Sequence, residues 1–224
     1  MAKATSKPAV TQLILVPSII TLAITGLRLV GELQHWPKTF FNPAAGGGGS
    51  IIGITWLVPI LGVYFGLKLC RAEAAPSSPR RAIGCSLLGL IVGFAGIFVI
   101  VAPQINLPGK PVVGMVLLVL GIITPFFGWA ALSKVLLSYG YAARIPVVVL
   151  MYFAIRGNWG THYDVAPPNF PTDVSFWSKY MQIAFVPQMF MWIAFTVSVG
   201  ALFGGITAAV HKGKSSRESA TEAA

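Results

Sequence analysis

The chain has 224 residues, of which 55% are hydrophobic and 10% charged, and its formal net charge is +10, with a mean hydropathy of +0.77. A soluble domain carries about 25% charged residues, so this composition excludes one and indicates a membrane protein. It also excludes nucleic-acid binding as the origin of the basic charge, because no basic soluble domain remains to carry it; loops facing an anionic leaflet account for it.

A helix needs about 20 apolar residues to span a hydrocarbon core of about 30 Å. In chain order such stretches lie near 10–33, 51–70, 82–102, 111–135, 139–155 and 178–210. They run unbroken, without the alternation of barrel strands. The expectation is an all-α membrane protein: a polytopic bundle of about six transmembrane helices, one domain over 1–211, then a disordered cytoplasmic tail over 212–224. The first stretch is as long as a span and lacks a small-residue cleavage site, so it reads as the first anchor.

Lys and Arg in the loops set the orientation. With a cytoplasmic N-terminus, that side collects Lys3, Lys7, Lys68, Arg71, Arg80, Arg81, Lys134, Arg144, Lys212, Lys214 and Arg217, while the other holds only Arg28, Lys38, Lys110, Arg156 and Lys179. Both termini are therefore expected inside. With no targeting segment and no N-x-S/T glycosylation acceptor, a bacterial inner membrane is the expected location.

The outer end of the first span reads TGLRLVGELQHWP. If the helix runs to Pro37, then Arg28, Glu32 and His35 share one face at i, i+4 and i+7. An interfacial ion pair with Trp36 as a headgroup anchor explains the same pattern. Next comes FFNPAAGGGGSIIG, where Gly46, Gly47, Gly48 and Gly49 precede Ser50. With Ser50 as an N-cap of span two, this run offers free N–H groups to an anion at a helix N-terminus. A flexible external hairpin is the simpler explanation, since the run matches no phosphate-loop pattern, and an inserted linker unit is disfavoured because a span starts immediately after it.

Small-xxx-small pairs follow at Gly62 and Gly66, Gly89 and Gly93, and Gly200 and Gly204. Such pairs let helix backbones approach closely in lipid, and intramolecular packing is favoured over a dimer seam. Pro17, Pro59, Pro125, Pro146 and Pro187 are candidate kinks. Cys70 and Cys85 sit at cytoplasmic helix ends with no Cys or His neighbours in metal spacing, and read as small apolar packing residues. Arg144 is expected at the boundary of the fifth span, so that the later spans hold no ionisable residue in their interiors. This weighs against a proton-driven carrier.

The longest outer loop, RGNWGTHYDVAPPNFPTDVSFWSKY, gathers Arg156, Asn158, Trp159, His162, Tyr163 and Asp164, with prolines and aromatics that argue for order. Three functions follow. A non-catalytic binding or complex-subunit protein would use this loop, Arg28, Glu32, His35 and the glycine run to hold a partner, a lipid headgroup or a small anion. An outer-face enzyme would use Glu32, His35, His162 and Asp164, either as metal ligands or with His162 as a base oriented by Asp164. A small transporter or channel would use the proline kinks. No cofactor is specified. Expected partners are the bilayer, other membrane subunits or further copies of the chain.

Overall fold

The computed structural model describes residues 9–168 and 170–222, with side chains described as far as Gly213. Lys3 and Lys7, the last two residues of the tail, and the side chains of Lys214 and Arg217 lie outside the described residues. Every regular element among those described is helical: α1 (Val10–Leu33), a 3-10 turn (Ala45–Gly47), α2 (Leu57–Arg71), α3 (Pro79–Val101), α4 (Lys110–Ile123), α5 (Phe126–Gly157), α6 (Phe176–Tyr180) and α7 (Trp192–Glu222). Two π-helical stretches, Met181–Phe185 and Pro187–Met191, join α6 to α7. Four rods, Val10–Leu33, Pro79–Val101, Phe126–Gly157 and Phe176–Gly213, are long and apolar enough to cross a membrane. The chain is a helical-bundle membrane protein.

Glycine sets how these helices pack. A Cβ on Gly62 would lie 2.4 Å from the Gly200 carbonyl oxygen, and one on Gly66 would lie 3.0 Å from the Gly204 Cα. Two of the small-xxx-small pairs therefore meet each other, and α2 and α7 run side by side in parallel. The third pair packs on α4: Gly89 faces the Gly121 carbonyl, a Cβ on Gly121 would lie 3.0 Å from the Gly93 backbone, and Gly96 faces Gly114, which makes α3 and α4 antiparallel. With no room for a side chain, backbones gain dispersion contacts that lipid could not supply. All three pairs lie within one chain. The opposite face of α3, with Leu88, Ile91, Phe94 and Phe98, is exposed, as suits helices whose solvent is lipid.

Two boundaries differ from expectation. The break expected between residues 135 and 139 falls instead at Thr124 and Pro125, where α4 ends and α5 begins. Pro125 brings no N–H to the ladder, and Trp129 leaves helical geometry altogether (φ −152, ψ 83). Its indole Nε1 donates to the Ala74 carbonyl at 2.9 Å, fixing the turn. Lys134, expected in a loop, lies in the helix, and Arg144 therefore sits near the middle of α5 rather than at its edge. At the other end, α7 continues helically to Glu222, where a disordered tail was expected from residue 212. The end of α1 at Leu33 matches the expected limit of the first span, and the continuation to Pro37 that would align His35 does not form.

Candidate functional site

The early stop of α1 decides the fate of His35. Gln34 caps the helix, and His35 adopts φ +53 and is exposed. It leaves the face that carries Arg28 and Glu32, so the i, i+7 partner is lost. The i, i+4 pair remains: Arg28 Nε donates to Glu32 Oε1 at 2.8 Å, and the Glu32 side chain is fully buried.

The third group on that carboxylate comes from the long loop. The His162 backbone N–H donates to Glu32 Oε2 at 2.9 Å, and His162 Nδ1 lies 2.6 and 2.8 Å from the two carboxylate oxygens. A carboxylate accepts only, so Nδ1 carries the hydrogen and the neutral ring keeps its lone pair at Nε2. Glu32, not Asp164, orients this imidazole. Burial pushes the His162 pKa below its ordinary value of 6.5, against the pull of the Glu32 hydrogen bond, and the Arg28 charge lowers it further.

Asp164 serves its own loop. It accepts from the N–H groups of Gly160 at 3.0 Å and Thr161 at 2.8 Å, and from the Thr161 hydroxyl at 2.8 Å. These bonds close a turn that aims His162 back at α1. Tyr163 finishes the clamp: its ring packs 3.8 Å from that of His162, and its hydroxyl donates to the Thr25 carbonyl at 3.2 Å. Burial pushes this phenol upward, so it stays a donor.

The glycine run answers with carbonyls rather than N–H groups. Arg28 Nη2 donates to the Gly47 carbonyl at 2.9 Å and the Asn42 carbonyl at 3.2 Å, and the Asn42 amide donates to the Gly48 carbonyl at 2.9 Å. Gly46, Gly47 and Gly49 all have φ between 66° and 76°, a region costly for residues with a Cβ. At Gly47 space is short as well: a Cβ would come within 2.6 Å of Arg28 Nη2 and 2.8 Å of His162 Cδ2. The run is an ordered turn that stabilises a cation. Ser50 is no N-cap either, because α2 begins only at Leu57. Its hydroxyl bonds to Phe40 and Ile52 carbonyls within the hairpin.

Arg156, Asn158 and Trp159 stay outside this cluster. All three are exposed; Arg156 donates to the Tyr152 hydroxyl at 3.2 Å, and Asn158 ends α5 in a left-handed turn. Among the described residues no three His, Cys, Asp or Glu side chains converge as a metal-ligand set, since His35 and Asp164 both point elsewhere.

Beneath the cluster lies a cavity of about 350 Å³. Thr25 and Arg28 of α1, Arg144 and Met151 of α5, Gln188 and Trp192 from the far helix wall it, and His162 and Tyr163 roof it. Arg144 is 5% exposed; its Nη1 donates to Gln188 Oε1 at 3.1 Å, and its guanidinium lies 4.6 Å from the Trp192 ring centroid. No carboxylate pairs with it among the described residues, where the ion pairs are Arg28 and His162 with Glu32. The Gln188 amide is held in turn by Met151 Sδ at 3.7 Å. The π-helical turns explain how Gln188 gets there, because an i→i+5 ladder inserts a residue and turns the following face inward.

Arg144, Gln188 and Trp192 were missed from the sequence. The signal was the Thr-Pro step at 124–125: a helix started there carries Arg144 into its middle. No protein-family model, curated protein or solved structure matches the chain.

Proposed function

We propose that this is a six-pass inner-membrane protein with both termini in the cytoplasm, which binds an anionic small molecule or lipid headgroup in the cavity between α1, α5 and the π-helical stretch. The observation that carries the reading is Arg144. A guanidinium near the middle of an apolar helix is costly unless compensated, and here one amide oxygen and one indole face are its protein partners. An anion in the adjoining cavity supplies the missing charge. The cavity size suits a small-molecule site, lined mainly by apolar groups with a few convergent polar ones.

Six crossings are supported by the glycine contacts, which lay α2 along α7 and α4 along α3, and by the basic residues gathered in the loops that share the N-terminal side. The test is native mass spectrometry of protein extracted gently from its own membrane. A retained anionic lipid or small anion, absent from Arg144→Met, supports the reading; a bare wild-type polypeptide defeats it.

A second reading, a carrier for the same anion, is favoured by the two π turns beside a mid-helix cation, since transporters place sites at broken helices near the midplane. The interior of α5 now holds the ionisable residue whose apparent absence had weighed against transport. Uptake of a bound anion into proteoliposomes, lost in Arg144→Met, distinguishes carrier from receptor.

A further inference from the structure

The roof of the cavity has its own chemistry. Because Glu32 fixes the Nδ1–H tautomer of His162, a residue that lines the cavity, the Nε2 lone pair is left as an acceptor with no protein donor on it among the described residues. Tyr163, its ring tilted against the imidazole, spends its own hydroxyl on Thr25. The floor presents the opposite character, a guanidinium and the amide that holds it. We infer that the cavity takes an anion that also carries a free hydroxyl, a phosphate ester or carboxylate with an alcohol group, whose charge meets Arg144 and whose O–H donates to His162 Nε2. This rests on the anion-binding reading above and adds the second point of recognition.

A neutral donor fits the roof better than an ammonium. Arg28 lies against the same glycine as His162, its Nη2 2.6 Å and the imidazole Cδ2 2.8 Å from where a Gly47 Cβ would stand. A ligand ammonium there would meet a guanidinium at close range, and the Glu32 carboxylate is already engaged by Arg28 and His162. A hydroxyl brings a donor without that repulsion. Val147, Met151 and Ile183 also line the cavity and accept a short apolar spacer.

The probes are lipids of matched charge. Dioleoylphosphatidylglycerol ends in free hydroxyls, and dioleoylphosphatidylmethanol carries the same phosphate charge without them. Each is titrated into the full chain and read by native mass spectrometry, with glycerol 1-phosphate and methyl phosphate as the lipid-free pair. Wild-type protein is expected to prefer the hydroxylated member of the lipid or the free pair by about tenfold, the worth of one hydrogen bond to an otherwise unmet acceptor. Preference in the lipid pair names a headgroup as the source, and preference in the free pair a soluble phosphate ester. His162→Phe is expected to bind both members alike, and Arg144→Met neither. Equal wild-type binding of hydroxylated and methylated probes overturns the inference while leaving the Arg144 reading intact. Binding of none of the anions overturns both.

A measurement on the unmodified chain keeps the inference testable if His162→Phe fails to fold. In ¹⁵N-histidine spectra at mildly alkaline pH, the His162 resonances, distinguished from the exposed His35 and from His211, should show a protonated Nδ1 and a bare Nε2. A protonated Nε2 overturns the inference.

Discussion

At the scale of single residues, the site is the Glu32 carboxylate with the Arg28 guanidinium and the neutral His162 imidazole gathered on it. Removing that carboxylate strands Arg28 at the membrane boundary and frees the His162 loop, and breaking a buried pair from one side costs about 3 kcal/mol. Glu32→Ala should therefore lower the melting temperature in detergent well below that of Lys110→Ala, whose ammonium only caps the Ala102 carbonyl; equal melting temperatures would show that the carboxylate holds nothing. The His162 imidazole has a folded pKa below 6.5, so the unfolded chain takes up a proton more readily. Stability from this group is present above that value and is lost as pH falls through it toward the folded pKa. The groups facing the ring are Arg28 and Glu32 from α1 and Tyr163 and Asp164 from its own loop. Melting should decline as pH falls below about 6.5 in the wild type and less steeply in His162→Gln; parallel curves would remove His162 as the source.

At the scale of elements, two features position the cavity. One is the glycine seam between α2 and α7, where a side chain at Gly62 or Gly200 meets backbone on one side and Leu136 on the other. Gly200→Val should cost about 2 kcal/mol through overpacking, read as reduced folded yield on size-exclusion chromatography, whereas Gly84→Ala, with open space around it, should behave as wild type. The other is the glycine turn at residues 46–49. Gly47→Ala combines a left-handed backbone with a clash against Arg28 and His162, and should release bound anion while leaving the α2–α7 seam folded; retention of the anion would detach the turn from the site.

At the scale of the whole molecule, the proposed topology makes a direct claim. In a chain whose Cys70 and Cys85 are replaced by alanine, a cysteine at Val165 should react with a membrane-impermeant maleimide on intact cells, and one at Ala75 only after permeabilisation. The reverse pattern would invert the protein and put the cavity on the cytoplasmic side.

Composition and run length were enough to read a helical membrane bundle, because lipid demands internally satisfied backbone and long apolar segments whatever the details. Local spacing was enough for the Arg28–Glu32 pair and for the close glycine packing, since both depend on neighbours three or four residues apart. Partner choice lay beyond it. That Glu32 meets His162 across 130 residues, that Asp164 closes its own turn, and that the glycines present carbonyls to a cation all follow from how the loops fold over the helix ends. Arg144 is the clearest case: hydropathy averaged over a window puts a polar stretch and a charge at a boundary, but the break went to Pro125, where the backbone had lost a donor. Only the packed bundle then decided that this guanidinium would face a cavity, because burial of one side chain depends on which distant helices surround it.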